Sequence, residues 1–141
     1  MNVSRKDLEE LMRRIPFNEA LGMRVLKASA GEVTLVCRFR EDLRNVAGVL
    51  HGGVTASLAD AAVRFAIAAK HGVERRCATV ELKINYFVPV SHGSVRAEAK
   101  LIRDGSKICM GEVKLYDDHK KLAGAALVTY ILLPPEAAVR R

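Results

Sequence analysis

The chain has 141 residues, of which 50% are hydrophobic and 28% charged, and its formal net charge is +7. That length supports one domain with a sizeable core, and that composition excludes a disordered chain. The charge favours polyanionic partners (nucleic acid, anionic lipid or a phosphorylated small molecule), while the absence of Trp and an aromatic content of only 5% argue against a base-stacking surface.

The first residues, Met1-Asn2-Val3-Ser4-Arg5-Lys6-Asp7, lack the apolar centre of a secretion signal. Ser4 to Arg14 reads as a short amphipathic helix. Ser4 caps it, Asp7 stands where a capping box needs an acceptor, and Leu8, Leu11 and Met12 form the apolar stripe. Pro16 ends that run. Met23 to Ser29 and Glu32 to Arg40 read as strands joined at Ala30-Gly31, with Val33, Leu35, Cys37 and Phe39 alternating with Thr34, Val36, Arg38 and Arg40. Glu41 to Val49 is expected to be a loop.

From Leu50 to Lys70 the chain changes character. His51-Gly52-Gly53 opens a helix whose apolar residues fall on every side, so other structure must wrap it. His51, Asp60 and Arg64 interrupt it too often for a membrane span. His71-Gly72 supplies the stop. Four strands follow: Ala78 to Val88, with Val80, Leu82, Ile84 and Tyr86 on one face; Ser94 to Ile102; Lys107 to Tyr116; and Lys121 to Leu133. The last two are joined by Asp117-Asp118-His119, and the tail from Pro134 is expected to be loose. Cys37, Cys77 and Cys109 are widely spaced and odd in number, which fits a reduced cytoplasm better than a disulfide framework. The histidines show no ligand spacing with them, and no metal or separate cofactor is expected.

Two strands, a buried helix and a four-stranded meander make an α+β domain, 1–141 with a core from about 15 to 133, in which the sheet wraps the helix. The layout resembles the hotdog fold. A carboxylate in the middle of such a helix, Asp60, is costly to bury without a partner or a task. Arg64, one turn on, either pairs with it at the i,i+4 spacing or faces the far side of a pocket. The first backbone N–H groups of the helix, at Gly52 and Gly53, lack intrahelical partners and suit a developing oxyanion. Gly52 and Asp60 are about 12 Å apart along a helix, so one small carbonyl group cannot touch both within one chain. Side-by-side antiparallel helices in a two-fold dimer would bring them together.

Asn45, His51-Gly52-Gly53 and Asp60, in that order and spacing, resemble the PaaI-like branch of the hotdog acyl-CoA thioesterases. The likeness runs from Leu21-Gly22-Met23 to the last strand, and includes Thr79 to Pro89 and the basic turn Arg103-Asp104-Gly105-Ser106-Lys107. It implies that Asp60 is the general base or nucleophile. It also implies that the partner chain's Gly52 amide polarises the thioester carbonyl with Asn45 and His51 nearby, and that Thr79 helps hold the water. Gly53, Arg64, Arg103, Gly105, Ser106 and Lys107 become candidates for substrate binding, the basic turn for the phosphates of coenzyme A. The small residues Ala56, Ala59, Ala62 and Val63 leave room for an aryl or medium-length acyl group. The partners implied are an acyl-CoA and a second copy of the chain, as homodimer or homotetramer, with neither nucleic acid nor membrane. A hotdog hydratase or dehydratase using His51 and Asp60, and an acyl-CoA-binding protein without turnover, are the alternatives on the same fold.

Overall fold

The computed structural model describes residues 2–135. Its elements are α1 (Arg5–Arg13), α2 (Pro16–Ala20), β1 (Arg24–Ser29), β2 (Glu32–Arg38), a 3₁₀ turn (Glu41–Leu43), α3 (Gly52–His71), β3 (Cys77–Tyr86), β4 (Ser94–Asp104), β5 (Ile108–Tyr116) and β6 (Leu122–Leu132). The capping box on α1 forms, with the Ser4 side chain accepting from the Asp7 amide and the Asp7 carboxylate accepting from Ser4. Pro16 does more than end α1. It occupies the first turn of α2, where a missing N–H costs nothing, and so starts a helix that apolar patterning did not reveal. Of the tail expected to be loose, Pro134 and Pro135 have no regular structure and the rest lies outside the described residues.

The six strands form one antiparallel sheet in the order β1-β2-β4-β5-β6-β3. This corrects the expected four-stranded meander. β3 crosses to the far edge and pairs with β6, and only β4, β5 and β6 run as a meander. The chain enters β3 from the C-terminal end of α3, so a helix-long connection separates β2 from β3, while β4 returns to lie beside β2. The alternation in β2 and β4 holds: Val33, Leu35 and Cys37, then Val95, Ala97 and Ala99, face inward. In β3 it does not hold throughout. The register shifts between Thr79 and Glu81, a bulge at Val80, and β3 is an edge strand. Leu82 and Ile84 pack on the core, whereas Val80 and Tyr86 are more than half exposed.

The sheet curls over α3, whose buried residues include Leu58, Ala59, Ala62, Val63, Phe65, Ala66 and Ile67. α3 is long and apolar enough to cross a membrane, and two-thirds of it lies buried inside the domain as the core helix. The approach of sheet to helix is close. At Gly111 of β5 an added Cβ would stand 2.6 Å from a Val63 methyl, so only glycine lets the strand lie this near.

The far end of α3 is tied to the β4–β5 hairpin. Gly72 closes the helix with φ +99°, and the Asp104 carboxylate takes Lys70 Nζ at 2.7 Å and His71 Nε2 at 2.6 Å. The Lys70 ammonium, then His71 and the Cys109 thiol, hold the Asp104 carboxyl down at about 2 against a smaller opposing effect of burial. A carboxyl depressed in the folded state contributes stability above its unfolded value near 3.8, and loses it as pH falls through the folded value. Acid titration followed by circular dichroism is therefore expected to show stability falling between about pH 4 and pH 2, with Asp104→Asn flattening that part of the curve and leaving the protein less stable than the parent at neutral pH.

Candidate functional site

α3 begins where three backbone bonds fix the chain. Leu50 N–H donates to the Val90 carbonyl at 2.7 Å, His51 N–H to Leu43 at 2.8 Å, and Asn45 N–H to Val49 at 2.8 Å. His51 is the N-cap: its Nδ1 accepts from the Gly53 amide at 2.8 Å. An added Cβ at Gly53 would meet that same ring nitrogen at 2.9 Å. Gly53 therefore has its N–H consumed by the cap. The Gly52 N–H has no partner among the described residues. Tyr86 closes over Gly52 from β3, its hydroxyl donating to the Gly52 carbonyl at 2.6 Å and its ring 3.2 Å from where a Cβ would stand.

Asn45 organises the preceding loop. Its Oδ1 accepts from the Ala47 amide at 2.9 Å and the Val49 amide at 3.3 Å, an Asx turn that spends the carbonyl locally and leaves the side-chain NH₂ available. Gly52 and Asn45 line a cavity of about 330 Å³ with Leu50, Thr55, Tyr86 and Phe87.

Two turns further along α3, Asp60 is half-buried and held from the sheet. Thr79 Oγ1 donates to Asp60 Oδ1 at 2.9 Å, and the Tyr130 hydroxyl lies 2.8 Å from the same Oδ1 and 3.0 Å from the Asp60 carbonyl. Thr79 and Tyr130 are directly paired residues of β3 and β6. The bulge that follows Thr79 sits beside this contact, as bulges next to functional side chains commonly do. Asp60 Oδ2 has no partner among the described residues. Burial, then the Asp60 carboxylate, pushes the Tyr130 phenol far above its usual range, so it stays protonated and acts as a donor. The resemblance names Thr79 as a residue that holds the water, and here its hydroxyl goes to Asp60; the sequence does not point to Tyr130. A buried Tyr in an apolar strand carries no motif, and its role becomes visible only once β6 is known to lie beside β3.

The two ends of the site do not meet in one chain. Asp60 lines a separate cavity of about 190 Å³ with Ile15, Phe17, Asn18, Ser57, Ala61, Arg64 and Tyr130, and Gly52 lines the other. The i,i+4 pairing of Arg64 with Asp60 does not form: Arg64 Nη2 donates to the Val73 carbonyl at 3.3 Å, and Nη1 is buried without a hydrogen-bond partner among the described residues. Asp60 is instead satisfied by two hydroxyls, which cost less to bring to a half-buried carboxylate than a second charge.

The basic turn lies at the opposite end of α3 from Gly52. Arg103, Ser106 and Lys107 are exposed there, and Asp104 faces inward onto Lys70 and His71. Gly105 is required by its neighbour's backbone, since a Cβ would stand 2.7 Å from the Ile108 carbonyl oxygen. Spacing gave no hint that His71, Asp104 and Cys109 converge, yet their ligand atoms lie within 4.8 Å of one another. Lys70 occupies one Asp104 oxygen, and the Cys109 thiol is pushed up to about 11 by burial first and Asp104 second, so the group acts as an ion-pair clamp.

An apolar helix under a curled sheet, with an amide donor at its start and a hydroxyl-bound carboxylate two turns on, has counterparts among known proteins. The sequence pattern of the thioesterase superfamily matches residues 47–123, which takes in α3 and β3 to β5 whole. The medium/long-chain acyl-CoA thioesterase YigI of Escherichia coli K12 is 24% identical over 139 residues, covering 88% of this chain and 90% of YigI. The structure of conserved protein PA5202 from Pseudomonas aeruginosa superposes with a TM-score of 0.83 at 30% identity, covering 88% of this chain and 98% of that one. A variant of the phenylacetic acid degradation protein PaaI from Thermus thermophilus does so with a TM-score of 0.77 at 28% identity, covering 84% and 100%. The chain belongs to the thioesterase superfamily, and it is a thioester hydrolase with the hotdog fold.

Proposed function

We propose that the protein hydrolyses an acyl-CoA, with an aryl or medium-length acyl group, to the free acid and coenzyme A at sites shared between two copies of the chain. The observation that carries this reading is the state of Asp60: one carboxylate oxygen is fixed by Thr79 and Tyr130, and the other is left open at a cavity wall. A carboxylate so held has a defined direction for its free lone pairs, which is what a general base requires. Asp60 Oδ2 takes a proton from water as the water oxygen attacks the thioester carbonyl carbon. The resulting oxyanion accepts from the Gly52 N–H of the second copy, at the positive end of its helix. Collapse breaks the C–S bond, and the proton passes from Asp60 to the departing sulfur, giving the acid, coenzyme A and an ionised Asp60 again. Attack by Asp60 itself through an anhydride uses the same two groups. Names among the relatives support both acyl classes, medium/long-chain acyl-CoA in one and phenylacetic acid degradation in another.

The shared site is supported by the separation of Gly52 and Asp60 into two cavities and by the open edge of β3. Val80, Tyr86 and Phe87 on or just beyond that edge are each more than half exposed, an apolar border that a second copy would cover. His51 serves mainly by capping α3, and the net charge of +7 favours coenzyme A phosphates, with Arg103 and Lys107 as proposed contacts.

Coenzyme A release from benzoyl-CoA and a straight-chain acyl-CoA panel is the direct assay. Asp60→Asn is expected to lower kcat by roughly 10²–10⁴; retained turnover on every substrate would sink the mechanism. Tyr130→Phe, which leaves Thr79 in place, is expected to lower kcat roughly tenfold with little change in KM; an effect on KM alone would remove Tyr130 from the positioning of the base. Sharing of sites has its own test. Pro is tolerated at the first helical position and lacks an N–H, so Gly52→Pro deletes the donor. Mixed, co-refolded Asp60→Asn and Gly52→Pro chains are expected to regain activity, because one site of each heterodimer is intact, whereas two inactive parents that stay inactive together would place the whole site within one chain.

A further inference from the structure

The Asp60 cavity contains a cation that the hydrolytic steps do not use. Arg64 stands one turn beyond Asp60 on α3, the spacing at which opposite charges ordinarily meet. They do not pair here, because Thr79 and Tyr130 hold Asp60 Oδ1 and the guanidinium turns toward Val73. The result is a guanidinium whose Nη1 is closed off and has no hydrogen-bond partner among the described residues, on a side chain that forms part of the wall of the cavity of about 190 Å³. Glu74, which feels the Arg64 charge, is engaged by Arg14 at 2.8 Å. A second polar group joins from another element: Asn18 of α2 is 8% exposed and lines the same cavity, and its side-chain amide makes no hydrogen bond among the described residues. Ile15, Phe17 and Ala61 supply apolar wall between them.

A buried, unmatched guanidinium is unfavourable facing a hydrocarbon chain and favourable facing a carboxylate, whose two oxygens match its fork. Asp60 and Arg64 line the same cavity, so an acyl group whose carbonyl lies at Asp60 passes the Arg64 side chain. From a thioester carbonyl carbon to the carbon of a terminal carboxylate, a five-carbon diacid spans roughly 5 Å, as four carbon–carbon bonds of about 1.5 Å in zigzag. We propose that Arg64, assisted by Asn18, recognises a carboxylate at the far end of the acyl group, so that the preferred substrates are CoA thioesters of short dicarboxylic acids. This rests on the thioesterase reading and puts a short diacid in place of its aryl or medium-length acyl group: Asp60 acts on the thioester, and Arg64 one turn on reads the other end of the same acyl group.

The test compares acyl groups of equal carbon count. Wild-type kcat/KM for glutaryl-CoA is expected to exceed that for pentanoyl-CoA by roughly 10- to 100-fold, the range for a hydrogen bond to a charged group. Arg64→Met is expected to collapse that ratio to about one or invert it, Arg64→Lys to retain part of it, and Asn18→Leu to reduce it less than Arg64→Met. Arg64→Lys and Asn18→Leu keep the test open where Arg64→Met does not fold. Equal rates on the two substrates, preference for pentanoyl-CoA, or a ratio unchanged in the Arg64 variants would overturn the proposal. So would turnover of benzoyl-CoA with neither five-carbon thioester hydrolysed. Failure of wild type on all three would instead strike the thioesterase reading itself.

Discussion

Everything in this domain follows from the need to cover a helix that is apolar on all sides yet carries a carboxylate in its middle. Coverage of the apolar faces is met by curling a six-stranded sheet around α3, close enough that Gly111 is the only residue possible against Val63. The carboxylate sets a stricter condition. Asp60 is satisfied by two hydroxyls, Thr79 and Tyr130, from strands that must therefore lie side by side over that turn of the helix. The crossing of β3 to the far edge of the sheet, where it pairs with β6, is what brings those hydroxyls together. Topology and chemistry thus share one contact.

The same contact explains the electrostatic arrangement. Two neutral donors orient the Asp60 carboxylate without neutralising it, whereas an Arg64 partner would occupy the free oxygen. At the distal end of α3, by contrast, a full charge is used: the Lys70 ammonium, joined by the His71 ring, on Asp104, where nothing but anchoring is required. One helix therefore shows two ways of holding a carboxylate, one that leaves an oxygen available and one that consumes both.

Much of this was legible from the sequence because it depends on local period and spacing. The helix from Gly52 to His71, the alternation in β2 and β4, the capping box at Ser4 and the Gly72 stop all rest on neighbours within a turn or two. Asp60 stands out in the sequence as a carboxylate on an apolar helix and Thr79 only through a resemblance, and the structure places them 2.9 Å apart. What could not be read depends on which distant segments pair. The strand order, the bulge at Val80 and the role of Tyr130 are one fact seen three ways, since each requires knowing that β3 lies against β6. Helix α2 escaped because five residues carry too little periodicity, and the missing Asp60–Arg64 pair because spacing reports proximity and not competition from outside the helix.

Tyr86 gives the open sheet edge a mechanical role. It belongs to β3, yet its hydroxyl grips the Gly52 carbonyl and its ring lies over the Gly52 Cα, so the start of the core helix is steadied by a strand with one side unpaired. Any molecule that adds to that edge stiffens the lever that aims the Gly52 amide, and any loosening of the edge frees it. Assembly and readiness of the donor are then a single variable, and a side chain at position 52 presses the ring at position 86 aside by a few tenths of an ångström.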